Sequence, residues 1–200
     1  MLIGRGFADP DRDAQSAFRR ILWAMSNPGD IVDLDFSAEP PEGLPVAAGA
    51  VLLALADVDT PIWLPAFYRK DWQRWLAFHT GATPAASAES AALAVIHPAR
   101  EDLLPTDFNA GEDRYPDRST TVLVVCDALD GGTAIKLSGP GINGARSIQP
   151  RGPDARFWRA VMDNNALYPR GVDVLLVTGS RMLALPRSLN LCLLEQRPCM

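Results

Sequence analysis

The sequence predicts an α/β protein in which a mixed β-sheet lies between layers of other structure. Residues 92–97 (ALAVIH) and 120–126 (TTVLVVC) are apolar, β-branched runs typical of strands that are covered on both faces. Segments with helical periodicity precede and follow these strands, and residues 172–186 predict a terminal pair of strands. Because helical and strand patterns interleave along the chain, we expect a three-layer sandwich with a mixed sheet.

The first predicted helix follows Asp13 and ends before the sequence Asn27-Pro28-Gly29. Its apolar side chains recur at helical spacing, as Ala14, Ala17, Phe18, Ile21, Leu22 and Met25. Residues 31–36 (IVDLDF) then alternate between apolar and polar, which predicts a short strand. A proline-rich loop over residues 39–45 follows.

Two further helices are predicted in the middle of the chain. Residues 47–57 (AAGAVLLALAD) are apolar nearly all round, which indicates a buried helix. A second helix begins at Asp71, places Trp72 and Trp75 on one face, and ends at Gly81, a residue suited to a left-handed C-cap. Residues 98–118 are polar and predict a loop.

The last third of the chain predicts a hairpin, a helix and a second hairpin. Gly131-Gly132 separates the strand at 120–126 from residues 133–138, which we expect to pair with that strand. Residues 139–153 are predicted to form a long loop, and residues 154–166 have helical periodicity. Residues 172–179 and 181–186 predict two strands joined by a tight turn. No repeat or domain-sized break occurs, so residues 1–200 are expected to form a single domain.

Composition excludes several classes of partner. The formal net charge is −5, from 24 acidic and 19 basic residues, so no large basic field is present to bind nucleic acid. No run approaches the about 18 apolar residues that a membrane helix needs. The cysteines, Cys126, Cys192 and Cys199, form neither a CxxC pair nor a disulfide framework. A cytoplasmic protein is therefore expected.

Gly139-Pro140-Gly141-Ile142-Asn143-Gly144 matches the dinucleotide-binding pattern GxGxxG. The match is better explained by a structural turn, since Pro150 and Pro153 follow too soon for a crossover helix. Pro140 also lacks the amide hydrogen that could face a phosphate.

Local signatures of a metal site or a catalytic nucleophile are also lacking. The two histidines, His79 and His97, lack the spacing of metal ligands, so no metal site is predicted. There is no GxSxG motif and no catalytic cysteine signature, and we name no catalytic residue. His79, on the face of Trp72 and Trp75, is expected to be half-buried and hydrogen-bonded.

Asp57 and Asp59 end a predicted helix, where carboxylates oppose the helix dipole. One interpretation is a turn capped by Asx-type hydrogen bonds that involve Thr60. The other is a functional salt bridge or a subunit contact made through arginine.

Arg170 precedes a predicted strand and Arg187 follows the final one, so both are candidates for an anion site near sheet ends. The alternative is that Arg170 simply pairs with Asp173. Arg19 and Arg20 point about 100° apart on a helix, so at most one of them can face a site.

Six blocks of the sequence, in order, resemble the PhnH family, the H subunit of bacterial carbon–phosphorus lyase. They are AFRRILWAMSNPG (17–29), LLALADVDTPIWL (52–64), FHTGA (78–82), YPDRSTTVLVV (115–125), LSGPGI (137–142) and YPRGVDVLLVTGSRMLALPRS (168–188). Most of residues 13–190 is covered. Arg19, Asp57, Asp59, Thr60, Arg170, Asp173 and Arg187 fall within these blocks, as candidates for ligand or interface binding.

The resemblance implies a shortened form of the fold of pyridoxal-phosphate-dependent transferases, without the cofactor. It further implies assembly with the G, I and J subunits, which form α-D-ribose 1-methylphosphonate 5-triphosphate from ATP and methylphosphonate. In this family the subunit is an accessory and architectural member. A homodimer is expected in isolation, because long apolar segments in a subunit of an assembly leave surface to cover.

Two alternatives remain open. A pyridoxal phosphate site could survive, with Lys70 or Lys136 as the Schiff-base lysine. Alternatively, the chain is a small-molecule module that binds a nucleotide or a phosphonate in a vestigial cleft, through Arg170 and Arg187.

Overall fold

The computed structural model of the chain describes residues 3–98, 100 and 102–194. Within this range the α-helices are α1 Pro10–Ser26, α2 Val46–Leu55, α3 Arg69–Thr80 and α4 Ala155–Asn165. The β-strands are β1 Val32–Asp33, β2 Ile62–Trp63, β3 Leu93–Ile96, β4 Thr121–Val125, β5 Ile135–Ser138, β6 Arg146–Ile148, β7 Asp173–Thr178, β8 Arg181–Leu185 and β9 Asn190–Leu193. Cys199 lies outside the described residues.

The main sheet has six strands in the order β1-β8-β7-β4-β3-β2. Strands β2, β3, β4 and β7 are parallel, whereas β8 and β1 are antiparallel to their neighbours. Val122 of β4 lies opposite Ala94 of β3 and Val174 of β7, at the centre of the sheet. The predicted mixed sheet is therefore confirmed.

Alternate residues of the central strands enter two different hydrophobic cores. Leu123 and Val125 of β4 pack in the core that contains α1, α2 and α3. Val122 and Val124 pack on the other face, with α4 and a small second sheet. Both faces of β4 are thus covered, which is why its sequence is apolar without a polar alternate.

Helix α1 starts earlier than the sequence predicts. Its N-cap is Asp9, whose carboxylate accepts a hydrogen bond from the Arg12 backbone N–H, and Pro10 occupies the first turn. Asp13 lies inside the helix and accepts from the Asp9 N–H instead. The predicted start after Asp13 is wrong because Asp9-Pro10 is also a favoured cap sequence.

The remaining predicted helices are confirmed, with small changes at their ends. Residues 47–52 of α2 are fully buried, and α3 ends at Gly81, which has φ 74°. Helix α4 is capped by Asp154, whose carboxylate accepts from the Phe157 N–H at 2.9 Å. None of the described helices has the length and apolar character needed to cross a membrane.

Strand β5 does not pair with β4, so the hairpin predicted for residues 133–138 is wrong. It pairs antiparallel with β6 and β9 in a separate three-stranded sheet. The reason is that β3 and β7 occupy both edges of β4, which leaves no edge for a hairpin partner. In contrast, the predicted hairpin of β7 and β8 is confirmed.

Candidate functional site

A half-buried ion pair joins the start of β7 to the residues that follow β8. Arg187 Nε lies 3.2 Å from Asp173 Oδ1, and Arg187 Nη2 lies 2.6 Å from Asp173 Oδ2. The Arg187 backbone N–H also donates to Asp173, and Nη1 donates to the Pro116 carbonyl oxygen. Binding of an anion by Arg187 would therefore require this network to open.

Arg170 pairs with a different carboxylate from the one expected. Its Nε lies 3.0 Å from Asp113 Oδ1; the Arg170 side chain is partly exposed and that of Asp113 is almost fully exposed. The pairing of Arg170 with Asp173 proposed from the sequence is wrong, because Arg187 already occupies Asp173. Arg170 thus joins the segment before β7 to the loop of residues 109–118.

Asp57, Asp59 and Thr60 form a closed turn between α2 and β2. Asp57 Oδ1 accepts from the Thr60 hydroxyl at 2.6 Å and from the Asp59 N–H at 3.0 Å. The Thr60 hydroxyl and then the Asp59 amide lower the pKa of Asp57. This geometry is the Asx-type cap expected from the sequence, with the cap supplied by side chains of the turn itself.

The structure does not bring all of the candidate residues together. The Asp173–Arg187 pair and the Asp113–Arg170 pair both involve the loop of residues 109–118, through the Pro116 carbonyl oxygen and Asp113, near the start of β7. The Asp57 turn precedes β2, which strands β3 and β4 separate from β7. Arg19 is exposed on α1, whereas its neighbour Arg20 donates to the Asp33 carbonyl oxygen.

In open α/β sheets ligands bind beyond the carboxyl ends of the parallel strands. Asp173 opens its strand, so its ion pair lies at the opposite, amino edge. The residues that follow the two central parallel strands β3 and β4 are His97 after β3, and Cys126 and Asp127 after β4. The sequence analysis did not select these residues, although His97 and Asp127 carry a usable signal, since each comes at the end of a buried apolar run.

His97 is the most unusual residue at this carboxyl edge. Its Nδ1 is buried and has no hydrogen-bond partner among the described residues. Burial lowers the pKa of His97, and nearby Arg100 lowers it further, whereas Asp127 raises it. These effects together favour the neutral form of the imidazole.

Cys126, next to Asp127, is not a nucleophile at neutral pH. Burial, followed by the charge of Asp127, raises the pKa of its thiol to about 12. The thiolate is the reactive form, so this side chain behaves as a core residue.

Arg100 also joins the carboxyl edge to the helical layer. Its Nη1 donates to the Tyr68 hydroxyl at 2.7 Å, and the Tyr68 ring stacks on Trp72 with centroids 4.8 Å apart. A Cβ added to Gly43 would lie 2.6 Å from the Tyr68 ring, so only glycine admits the ring here. The arginine is therefore positioned by a packed aromatic pair while its guanidinium remains exposed.

A cavity of about 340 Å³ lies beside α3, away from the sheet edge. It is lined by Ile3, Gly4, Glu39, Pro40, Pro41, Glu42, Asp71, Arg74 and Trp75. His79 lies nearby and its Nε2 is 2.9 Å from the Gly4 carbonyl oxygen, which confirms the half-buried, hydrogen-bonded role expected for it.

The GxGxxG segment connects β5 to β6 and is not followed by a helix. Gly139, Gly141 and Gly144 all have positive φ, as tight turns require. The structural interpretation of this motif is confirmed. Among the described residues no group of three or more His, Cys, Asp or Glu could hold a metal ion.

Comparison with known proteins assigns the family. Residues 5–192 match the model of the bacterial phosphonate metabolism protein PhnH. The chain is 40% identical over 189 residues to the α-D-ribose 1-methylphosphonate 5-triphosphate synthase subunit PhnH of Rhizobium meliloti (strain 1021), covering 92% of this chain and 93% of the relative.

A second relative, from Stutzerimonas stutzeri, is named as a putative C-P lyase subunit protein, HtxG. It is 30% identical over 179 residues, covering 88% of this chain and 85% of the relative. The match to the family model extends from before α1 to within β9, and so includes both sheets and every candidate residue described above. The chain therefore belongs to the PhnH family.

Proposed function

We propose that this protein is a subunit of the carbon–phosphorus lyase assembly and supports formation of α-D-ribose 1-methylphosphonate 5-triphosphate from ATP and methylphosphonate. The observation that carries the proposal is the 40% identity to a synthase subunit across nearly the whole of both chains. We propose the G, I and J subunits of the assembly as its partners.

An accessory role suits the chemistry of the described residues. The Arg187 guanidinium is hydrogen-bonded to the Asp173 carboxylate and the Pro116 carbonyl oxygen, and the Cys126 thiol is protonated at neutral pH. Neither group is poised for transfer chemistry. The chain thus contributes surface and structure to the assembly, and the reaction itself depends on another subunit.

The finer features of the proposal concern fold and assembly. The protein is a single cytoplasmic domain of 200 residues with a shortened form of the pyridoxal-phosphate-dependent transferase fold, and it is a homodimer in isolation. Lys70 and Lys136 are both exposed, on α3 and β5, so a Schiff base at either would lack a shielded pocket. We therefore expect no aldimine absorbance when pyridoxal phosphate is added.

The test is purification of the tagged protein from cells that grow on methylphosphonate as phosphorus source. The G, I and J subunits should copurify, and a strain that lacks this subunit should fail to grow until the gene is restored. Recovery of the chain alone, together with growth of the deleted strain, would refute the proposal. Conversion of ATP and methylphosphonate by the isolated chain would refute the accessory role.

A second candidate is a nucleotide- or phosphonate-binding module, favoured by the exposed guanidinium of Arg100 beside the unpartnered Nδ1 of His97. Calorimetric titration with ATP and with methylphosphonate tests it. Heat that is lost in Arg100→Ala but kept in Arg114→Ala supports binding at the carboxyl edge. Arg114 is a suitable control because it is also an exposed arginine over a tyrosine ring. No heat at millimolar ligand would exclude this candidate.

A further inference from the structure

Residues 3–7 (IGRGF) lie against α3, and we call them the strap. The Gly4 carbonyl oxygen of the strap lies 3.0 Å from Trp75 Nε1 and 2.9 Å from His79 Nε2. Trp75 and His79 are four positions apart on α3, so their rings share one face of the helix. Because Trp75 is only 2% exposed, its indole N–H would need another acceptor if the strap moved away.

Two glycines allow the strap to approach its neighbours closely. A Cβ added to Gly4 would collide with the Glu39 carbonyl oxygen, and one added to Gly6 would lie 2.8 Å from His79 Nδ1. Neither glycine has a positive φ, so the requirement is for space and not for an unusual backbone conformation. Any segment that follows the same course must therefore have glycine at both positions.

The residues after each glycine of the strap are matched by charge and by shape. Arg5 Nη2 lies 2.9 Å from Glu39 Oε1, and the Arg5 carbonyl oxygen accepts from the Glu39 backbone N–H at 2.8 Å. The Phe7 ring packs edge-to-face on Phe36, with the ring centroids 5.2 Å apart. The surroundings of the strap thus receive a backbone oxygen, a cation and an aromatic ring in a fixed order.

The strap leaves much of the space beside it unfilled. Residues 3–4 and Trp75 line the cavity of about 340 Å³, whereas residues 5–7, Leu53 and His79 line another of about 320 Å³. In the part of the chain that the structure describes, a single backbone-to-backbone hydrogen bond, from Glu39 to Arg5, holds the strap. Segments with few backbone hydrogen bonds open at a lower free energy than the core, so the strap is suited to leave this place.

We propose that the groove between α3 and residues 36–42 is a peptide-binding site, which the strap occupies and which a partner protein occupies in its place with a segment of the pattern Gly-Arg-Gly-aromatic. A carbonyl oxygen of the partner then accepts from Trp75 and His79, and its arginine pairs with Glu39. Further carboxylates line the first cavity, those of Glu42 and Asp71, and they favour a basic segment. This inference goes beyond the proposed function, because it assigns a binding site that does not depend on the identity of the assembly.

A peptide with the sequence of the strap, IGRGFA, tests the inference by fluorescence anisotropy. Gly4→Ala should release the strap of the full chain, because the added Cβ collides with the backbone of Glu39 while the groove itself is unchanged. Labelled IGRGFA should bind this variant at least about tenfold tighter than the wild type, in which the tethered strap competes at a millimolar effective concentration. Arg5→Glu is a second way to release the strap, since the Arg5 side chain is 58% exposed and its replacement leaves the core intact. This variant should also bind the peptide more tightly than the wild type does.

Altered peptides test which features the groove recognises. IARGFA, in which alanine replaces the first glycine, should not bind, and IGEGFA should bind at least about tenfold more weakly than IGRGFA. Adding Glu39→Arg to the Gly4→Ala variant should reverse the preference between IGRGFA and IGEGFA, a result that misfolding cannot produce. Asp71→Arg is the matched control and should keep the original preference, because Arg5 pairs with Glu39 and not with Asp71.

Three results would overturn the inference: no binding of IGRGFA to either released variant at millimolar concentration, equal binding of IARGFA, or an unchanged preference after Glu39→Arg. Displacement of the labelled peptide by methylphosphonate but not by unlabelled peptide would also overturn it, and would assign the two cavities to a small oxyanion. Copurification with the G, I and J subunits tests the proposed function separately, and its failure would leave the peptide result unchanged.

Discussion

The guanidinium of Arg187 spans the carboxylate of Asp173, with Nε 3.2 Å from Oδ1 and Nη2 2.6 Å from Oδ2. The two side chains are 16% and 15% exposed. Because Nη1 also donates to the Pro116 carbonyl oxygen, the pair ties three chain segments together at the start of β7. Both residues lie inside one of the six sequence blocks that resemble the PhnH family. If their role is structural, replacing either residue should lower the stability of the fold.

Asp173→Ala should lower the free energy of unfolding by about 2–3 kcal/mol, somewhat less than the loss of a partner costs in a fully buried pair. The reason is that Arg187 would keep its charge in a poorly hydrated place. Arg187→Lys should cause part of this loss, since an ammonium group cannot span two oxygens and also reach Pro116. Urea denaturation followed by circular dichroism measures both changes.

The control for this ion pair is Arg170→Ala. Its salt bridge to Asp113 is solvent-exposed, with Asp113 90% exposed, so its removal should cost less than about 1 kcal/mol. If Asp173→Ala and Arg170→Ala lowered the free energy of unfolding by the same amount, burial would not make the Asp173–Arg187 pair more important than the exposed one.

Asn164→Leu should also be strongly destabilising, by about 2–3 kcal/mol. The Asn164 side chain is 1% exposed and makes a two-way pair with Val172, donating to its carbonyl oxygen at 2.9 Å and accepting from its N–H at 2.7 Å. Leucine of similar size would leave both backbone groups buried without partners. The free energy of unfolding in urea tests this, with Asn165→Leu as control. Asn165 also accepts a hydrogen bond from Asn164 Nδ2, but it bonds to a single backbone group, the Leu189 carbonyl oxygen, so its loss should cost less.

Thr60→Val should raise the pKa of Asp57 towards its ordinary value. The Thr60 hydroxyl is the largest cause of the lowered pKa, and the Asp59 amide is the second. Because the folded pKa lies below the unfolded one, the turn's stabilisation is present above the unfolded pKa and is lost as pH falls through the folded pKa. Carboxyl-carbon NMR titration should show the change at Asp57 and none at Glu89, whose pKa is lowered mainly by its own backbone amide. An unchanged pKa of Asp57 in Thr60→Val would contradict the hydrogen bond between the Thr60 hydroxyl and the Asp57 carboxylate.

Cys126 should resist thiol reagents in the folded protein and react only after unfolding. Burial raises the pKa of its thiol to about 12, so almost no thiolate exists near neutral pH. Cys192 is exposed and serves as the internal control, since it should be labelled in the native state. Labelling at pH 8 followed by peptide mass spectrometry distinguishes the two sites. Native labelling of Cys126 at the rate of Cys192 would show that this end of β4 opens readily.

The elements that could be predicted from the sequence are those in which burial controls composition. The run at 120–126 is apolar because β4 is covered on both faces, and the pattern indicates this directly. Strand β2 escaped prediction, because two residues, Ile62 and Trp63, are too few to show a period. The partner of β5 could not be predicted locally either, since it depends on which strand edges remain free.

The candidate site was less predictable than the fold because its contacts join distant positions. From the sequence, Asp173 could pair with either Arg170 or Arg187. Only the folded chain shows that Asp173 pairs with Arg187 and that Arg170 pairs with Asp113. The Asp57 turn was predictable, because its hydrogen bonds join residues at most three positions apart. His97 and Asp127 carried a local signal, a polar residue at the end of a buried run, which points to the carboxyl edge.

Gly141→Ala should be more destabilising than Gly144→Ala, although both glycines lie in the same turn with nearly the same φ, 82° and 77°. At Gly144 an added Cβ meets no atom within 4 Å, so alanine there should cost only the strain of the left-handed backbone, about 1–2 kcal/mol. At Gly141 the Cβ would collide with the Ser26 carbonyl oxygen and would lie 2.7 Å from Pro28 Cδ. The turn must then move away from the end of α1, at a further cost of about 1–3 kcal/mol. Urea denaturation of the two variants measures the difference, and equal losses would mean that the turn does not pack against α1.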